Sequence, residues 1–337
     1  MENASTDADP IDPAPIEARL RVDVFVQPGE GSSLAADVRA GLAERPRRIP
    51  PKHFYDARGA RLFDAICDTP EYYPTRTEQA LLEAIVDDLL EEVDPTMLVE
   101  LGSGAARKTR TLIEAMLRRG AATYVPIDVS EEMLRRSART LLADYPTLRI
   151  HGLVADYDRH LGHMPDGGRH LIAFLGSTIG NFTHESGARF LGKIAESMGE
   201  GDRLLLGLDQ VKDPAVLHAA YNDAEGLTAA FNKNVLRVMN AQLDADFPED
   251  GFEHVAFYDA EKQQVEMHLE AMRPMEVRVA ALELTLAFEE GERIHTEISR
   301  KFTRESAERL LADAGLALER WDLSEDGYFA LATARGA

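Results

Sequence analysis

The chain has 337 residues, 45% of them hydrophobic and 28% charged, with a formal net charge of −22. This is an ordinary globular balance with room for two domains. The acidic surplus argues against a nucleic-acid backbone or an anionic membrane surface as partner. The single cysteine, Cys67, excludes an internal disulfide framework and fits a reducing compartment. No apolar run is long enough to span a bilayer, and the acid- and proline-rich start carries no targeting segment, so a cytoplasmic protein is expected.

In chain order, residues 1–18 read as a flexible acidic tail. The stretch from Arg19 to Val26 alternates and reads as an edge strand, and Ser33 caps a short helix reaching Glu44. Pro50 to Asp56 is a rigid aromatic connector. Arg61 to Ile66 has helical spacing, and Pro70 to Thr75 is a second proline-bounded aromatic loop. An amphipathic helix runs from Thr77, its expected cap, to Val93. Strands at Thr96–Leu101, Ala122–Asp128, Ile150–Ala155, His170–Leu175 and Arg203–Leu208 then alternate with helices at Arg107–Arg119, Glu131–Tyr145 and Glu185–Met198. That rhythm predicts a parallel α/β sheet with right-handed crossovers. After Asp209 it breaks: Ala215 to about Gln242 reads as helical. Val255–Phe257, Gln264–Met272, Val277–Ala280, Leu284–Phe288 and Ile294–Ser299 read as an antiparallel second unit. A helix at Arg304–Ala314 and a strand at Phe329–Ala332 are expected to rejoin the first sheet.

The strand ending Leu98-Val99-Glu100-Leu101 opens into Gly102-Ser103-Gly104, and the next strand ends in Asp128. Glycines admit close backbone approach of a ligand, and an acid at the second strand tip accepts ribose hydroxyls, so an adenosine-containing ligand is expected. A tight turn with no ligand is the competing reading of the glycines alone. A dinucleotide fingerprint needs a third glycine, and Arg107 stands there. S-adenosylmethionine, which lacks a pyrophosphate, is therefore favoured over a nicotinamide cofactor. Glu100 suits its cationic amino-acid moiety, and Lys108 either answers its carboxylate or is a solvated helix charge. Asp156 and Tyr157, after the third strand, suit an adenine or form a capped turn. The loop from Phe174 to Phe182 carries Gly176, Gly180 and Asn181 at a strand end; the Asn181 amide both accepts and donates, or caps the following helix. Glu297 and Ser299 share one face of a strand and suit the two nitrogens of an imidazole, although such a pair is more often a solvated sheet face. Tyr55, Tyr72, Tyr221 and Met267 taken singly read as packing residues. The histidines are scattered, with no metal spacing, and no nucleophile elbow is present, so no metal is expected.

Several strings together carry a resemblance: Pro51-Lys52-His53-Phe54-Tyr55-Asp56, Pro70-Glu71-Tyr72-Tyr73-Pro74-Thr75-Arg76-Thr77-Glu78, Leu175-Gly176-Ser177-Thr178-Ile179-Gly180-Asn181, Val211-Lys212-Asp213, Thr228 to Leu236, and Lys301-Phe302. From about Val38 onward the chain resembles the histidine Nα-methyltransferases of ergothioneine biosynthesis, which make hercynine from L-histidine and three S-adenosylmethionine molecules. The resemblance implies a doubly wound, Rossmann-like class I methyltransferase domain (77–212 and 302–337) with an inserted α+β substrate-binding domain (19–76 and 213–301). It implies that Tyr55, Gly102, Lys108, Asp128, Asp156 and Tyr157 meet the cofactor, and that Tyr72, Asn181, Tyr221, Met267, Glu297 and Ser299 meet the amino acid. Within that set Glu297 and Ser299 take the imidazole with Met267 against the ring; Asn181, Tyr221 and Tyr72 hold the amino and carboxylate end. Tyr55 and Asn181 are the catalytic candidates.

The family pattern departs at Arg300 and His268, whose side chains alternation turns away from the pocket, and in the acidic N-terminal extension. The implied enzyme transfers methyl groups to a small-molecule partner, L-histidine, and works as a monomer without a metal. Rival readings are a sister enzyme for another amino acid such as tryptophan, which the Glu297 and Ser299 pair opposes, a non-catalytic binding module, and a nicotinamide oxidoreductase.

Overall fold

The computed structural model describes residues 14–26, 33–102, 108–120, 122–156 and 159–337. The chain opens with a helical turn α1 (Ile16–Arg19) and strand β1 (Leu20–Val24). Helix α2 (Leu34–Leu42), the two-residue strand β2 (Arg47–Arg48), a 3-10 turn at Pro51–Phe54, and helices α3 (Ala57–Cys67) and α4 (Tyr73–Val93) follow. The alternating region comprises β3 (Met97–Leu101), α5 (Thr109–Arg119), β4 (Thr123–Asp128), α6 (Glu131–Asp144), β5 (Arg149–Val154), β6 (His170–Phe174), α7 (His184–Ser197) and β7 (Arg203–Asp209). Next come α8 (Pro214–Tyr221), α9 (Leu227–Leu243), β8 (Phe252–Asp259), β9 (Gln264–Ala271), β10 (Met275–Val279), β11 (Leu284–Phe288) and β12 (Arg293–Arg300). The chain closes with α10 (Arg304–Asp313), β13 (Leu316–Leu323) and β14 (Phe329–Gly336).

One eight-stranded sheet has the order β1-β5-β4-β3-β6-β7-β14-β13. Its first six strands are parallel, and β14 returns antiparallel between β7 and β13. The strands are apolar on both faces, as a doubly covered parallel sheet requires. Leu98, Leu171 and Leu205 pack under α4 and α5 on one side, and Val99, Ile172, Leu204 and Leu206 pack under α7 and α10 on the other. Chain order reverses between β3 and β6. Ligands of open α/β sheets gather beyond the carboxyl ends of the strands at such a point.

A second sheet, β2-β12-β9-β8, is antiparallel apart from the short β2 pairing, and β10 and β11 form a separate hairpin. A further apolar core joins its inner face to α2, α3, α8 and α9 through Val38, Phe54, Ile66, Leu236, Met239 and Leu269. The two sheets meet where β7 runs out: Gln210 bridges to Phe302, just past β12.

Several expectations are corrected. Strand β1 lies on the edge of the first sheet, in register with β5 from Leu20–Ile150 to Val24–Val154, and so does not belong with the second unit. The expected flexible tail is helical at Ile16–Arg19, because the Arg19 guanidinium donates to the carbonyls of Leu142, Tyr145 and Leu148; residues 1–13 of that tail lie outside the described residues. Helix α4 starts at Tyr73 rather than Thr77, since Pro74 falls in its first turn, where the missing N–H costs nothing. The helical stretch after Asp209 is two helices, divided at Asn222–Gly226 by a turn whose backbone N–H groups Asp223 accepts at Leu227 and Thr228. Strand β13 went unread because it is an edge strand whose Glu319, Arg320 and Asp322 make ion pairs instead of a clean alternation.

Gly59 shows how tightly the aromatic connector is seated. A Cβ there overlaps the Phe54 carbonyl and comes within 3.1 Å of Asn234 Nδ2. Gly59→Ala must displace backbone and is expected to cost about 1–3 kcal/mol. Thermal melting should place the variant several degrees below the parent, and an unchanged midpoint would contradict this packing.

Candidate active site

The cofactor candidates stand in a row on the carboxyl edge of the first sheet. Gly102 ends β3 with φ of 73°, a left-handed conformation that favours glycine. Its N–H donates to the Ile127 carbonyl at 2.9 Å, beside Asp128 at the tip of β4. Ala155 N–H in turn donates to the Asp128 carbonyl at 3.0 Å, which sets Asp156 next in line at the end of β5. One Asp128 oxygen accepts the Ser130 N–H at 2.9 Å, fixing the carboxylate at the start of α6. Tyr157 and the stretch Ser103–Arg107, including Gly104, lie outside the described residues.

Glu100 is corrected. Its two oxygens are buried and take the hydroxyls of Thr109 and Tyr124, so it ties α5 to β4 beneath the turn. Burial pushes its carboxyl up to about 7 against the pull of those two donors. Lys108 pairs with Glu78, a fully buried acid on α4 that sequence reasoning did not single out. Glu78 also accepts the Gly176 N–H at 2.7 Å and so links α4, α5 and the loop after β6. Its signal was an acid on the otherwise apolar face of an amphipathic helix.

That loop is tightly wound. Gly176 has φ of 75° and Ser177 of 54°, strain a non-glycine residue bears only where its surroundings hold it. The Ser177 hydroxyl is held by Asp209 N–H at 2.9 Å. The following 3-10 turn, Thr178–Asn181, packs on β12; a Cβ on Gly180 would stand 2.9 Å from the Arg300 carbonyl. Asn181 therefore comes from the cofactor edge of the first sheet and lies against the strand that bears Glu297 and Ser299.

On the second sheet Glu297 stands directly across from Met267, while His268 pairs with His295; a register shift between His295 and Glu297 sets this arrangement. His268 thus turns to the other face, stacked on Phe257. There the pairing also brings Glu266, His268 and His295 within 4.8 Å of one another, a group no sequence spacing announced. Glu266 is already taken by Lys262 at 2.9 Å, Gln264 at 2.8 Å and His268 at 3.1 Å. Tyr221, at the end of α8, donates to Ser299 at 2.7 Å. Tyr72 lies beside Tyr221, Cys67, Tyr55 and Glu297, and burial followed by those neighbours raises its hydroxyl well above the usual value. Tyr55, half exposed, sets its ring edge-on to Phe63 and Phe231 at 5.7 and 5.3 Å, and Phe63 is edge-on to Tyr72 at 6.2 Å.

Among the described residues the Tyr72 hydroxyl, the Asn181 amide and the Glu297 carboxyl form no hydrogen bond within the protein. Burial pushes Glu297 up to about 7, opposed only by the charge of Lys301. Polar groups left without protein partners, Tyr72 and Glu297 among them close enough to influence each other, are what a polar ligand needs.

Sequence reasoning also missed a buried ionic cluster behind the site. Asp209, at the end of β7, accepts from the Tyr73 hydroxyl at 2.8 Å, from Lys301 at 2.8 Å, and from Lys212. Lys212 donates further to Tyr73 at 2.7 Å, and burial lowers its ammonium to about 8. The signal was available: an acid ends an otherwise apolar strand, Leu204-Leu205-Leu206-Gly207-Leu208-Asp209.

A parallel sheet of this order, with a glycine and two acids lined up at its switch-point edge, defines a Rossmann-like class I methyltransferase. The family model for histidine-specific, SAM-dependent methyltransferases matches residues 34–336, and the chain belongs to that family. It is 46% identical over 307 residues to the histidine N-alpha-methyltransferase of Mycolicibacterium smegmatis, covering 90% of this chain and 94% of that protein. It is 44% identical to the enzyme of the same name from Mycobacterium tuberculosis, covering 94% and 99%. It is also 32% identical to ergothioneine biosynthesis protein 1 of Neurospora crassa over 86% of this chain and 34% of that longer protein. No helix among the described residues is long and apolar enough to cross a membrane.

The raised Glu297 carboxyl has a sign that can be checked. Its folded value of about 7 lies above the ordinary 4.5, so between them the folded state holds a proton that the unfolded state has released. Stability contributed by this group is therefore full below the ordinary value and is lost as pH rises through the folded one. Glu297→Gln should melt above the parent at about pH 8, with the gap closing at about pH 4. Glu100 has the same sign but is common to both proteins. Melting curves with a constant gap across this range would contradict the assignment.

Proposed function

We propose that the enzyme transfers three methyl groups from S-adenosylmethionine to the α-amino group of L-histidine, giving hercynine, the first step of ergothioneine biosynthesis. The observation that carries the reading is the trio Tyr72, Asn181 and Glu297, whose polar side-chain groups form no hydrogen bond among the described residues, within a chain of the histidine-specific family.

Gly102, Asp128 and Asp156 fit an adenosine: open backbone at one strand tip and acids for the ribose and the exocyclic amine at the next two. Lys108 and Tyr55 border the methionine end on this reading, and Tyr157 is retained with the adenine. The cofactor supplies an electrophilic methyl on a sulfonium, so the chain's task is orientation and proximity, with no metal called for. Glu297 and Ser299 take the imidazole, with Met267 against the ring. Tyr72 holds the carboxylate end, beside Tyr221, whose own hydroxyl proton goes to Ser299. Asn181 directs the neutral amine, accepting its N–H while its lone pair points at the methyl. Tyr55 borders the amine as it becomes a permanent cation, which an aromatic face tolerates.

We assign the catalytic framework to 77–212 and 302–337 and amino-acid recognition to the second sheet with residues 34–76. The protein is read as a cytoplasmic monomer; light scattering on the purified chain tests the oligomeric state. An enzyme for another amino acid such as tryptophan is disfavoured because an indole has one N–H and no acceptor nitrogen and so cannot use both Glu297 and Ser299.

Incubation with histidine and S-adenosylmethionine should yield a mass increase of three methyl groups; tryptophan methylated in preference to histidine would refute the substrate. Glu297→Ala leaves a ring nitrogen unpaired, at a cost of about 1–3 kcal/mol, and should raise KM for histidine roughly tenfold or more with cofactor affinity nearly unchanged. Asp128→Ala should do the reverse, weakening S-adenosylmethionine binding by calorimetry. Normal affinity in that variant would remove Asp128 from the ribose.

A further inference from the structure

The side chain of Lys301 is 1% exposed. Its ammonium has three N–H donors and faces three acceptors: Asp209 at 2.8 Å, Ser299 Oγ at 2.8 Å and Tyr221 Oη at 3.0 Å. Every donor is used, so the lysine cannot turn. Tyr221 Oη and Ser299 Oγ lie 2.7 Å apart. A phenol is a far stronger acid than an alcohol, so the tyrosine donates and the serine accepts. Ser299 Oγ then receives two hydrogen bonds, from Lys301 and Tyr221, which fills both its lone pairs. Its own proton is the only hydrogen-bonding capacity it has left. Glu297, two residues earlier on the same face of β12, has no hydrogen bond among the described residues and as a carboxylate only accepts.

We propose that Lys301 is a positioning residue which, through Tyr221 and Ser299, gives the ring-binding pair a fixed polarity. Ser299 donates and Glu297 accepts, and the site thereby selects five-membered rings that carry one acceptor nitrogen as well as one N–H. The inference rests on the placement of the substrate ring at Glu297 and Ser299 made above, and adds the direction of the serine bond and the residue that sets it. A pocket lined by two acceptors would read the same two nitrogens differently and would tolerate loss of the lone pair on the ring. Sites built to hydrogen-bond a polar group reject analogues lacking it far more strongly than apolar pockets reject a missing methylene.

The test compares histidine with a pyrrolylalanine, which keeps the ring N–H and replaces the acceptor nitrogen by C–H, at saturating S-adenosylmethionine. In the parent enzyme the analogue should show KM raised at least tenfold with kcat much less changed, because the reacting amine is remote from the ring. In Ser299→Ala the ratio of the two KM values should fall to within about threefold, since no donor remains to be left unpaired. In Lys301→Met the ratio should fall in the same way, because the serine hydroxyl is free to rotate. A lysine that served only stability would alter both substrates equally and leave the ratio intact. Should Lys301→Met not fold, Tyr221→Phe keeps the Lys301–Asp209 pair, frees one lone pair of Ser299, and should narrow the ratio as well. A parent enzyme that trimethylates histidine yet shows equal KM for the pyrrole overturns the polarity assignment and leaves the proposed function standing. A folded Lys301→Met with the parent's ratio removes Lys301 from the role. Failure of the parent enzyme to methylate histidine at all would overturn both.

Discussion

The carboxylate of Asp209 is the point on which the arrangement depends. Through its side chain it holds Tyr73 at the start of α4, Lys212 beyond β7 and Lys301 beyond β12. Through its backbone it holds Ser177 of the strained loop and accepts the N–H of Phe302 at 2.8 Å. Three of these contacts lead on to candidate site residues: Tyr73 to its neighbour Tyr72, Ser177 to Asn181 in the same turn, and Lys301 to Tyr221 and Ser299. A buried charge costs several kcal/mol unless its partners and hydrogen bonds are all present. Here both oxygens are occupied, and the cost of losing any one partner is what keeps the two sheets in a single relative position.

Much of the first sheet was legible because a parallel sheet announces itself through apolar strands alternating with amphipathic helices. β3 through β7 lie within a residue or so of their expected bounds, and Ser33 and Asp128 stand where local signals put them. What could not be read was long-range pairing. Nothing local in Leu20–Val24 says that it joins β5, and nothing in Leu316–Leu323 says that its charges lie on an edge. The site shows the same division. Residue types and strand period made Glu297 and Ser299 candidates, and motif resemblance added Asn181, Tyr72 and Tyr221. The groups that orient them, Glu78, Asp209, Lys212 and Lys301, take their meaning only from partners up to 139 residues away.

The same logic separates the two kinds of buried acid. Glu100, Glu78 and Asp209 are saturated by donors of the protein and are structural wherever they stand. Glu297 is less completely buried and has no donor among the described residues, and burial still moves its carboxyl up to about 7. Sequence cannot tell these apart, because all four are acids at strand ends or on apolar faces. Hydrogen-bond accounting does, and it isolates the one acid whose stability rises when a ligand N–H arrives.

The cluster also bears on the nucleophile. Within the trio, Asp209 contributes one negative charge and Lys212 and Lys301 two positive ones when both are protonated, a local surplus that Asp326 beside Lys212 and Glu297 beside Lys301 offset in part. On the proposed reading this surplus attracts the substrate carboxylate and lowers the proton affinity of the adjacent amine, which must be neutral to attack. The low dielectric of a buried site enlarges both effects. Lys212 sets the limit, since burial brings its ammonium down to about 8 and the surplus declines above that pH. As methyl groups accumulate the amine becomes a permanent cation, and the same surplus that favoured the neutral amine then opposes the product. One fixed arrangement of charge thus keeps the amine neutral before attack and favours departure of the cationic product.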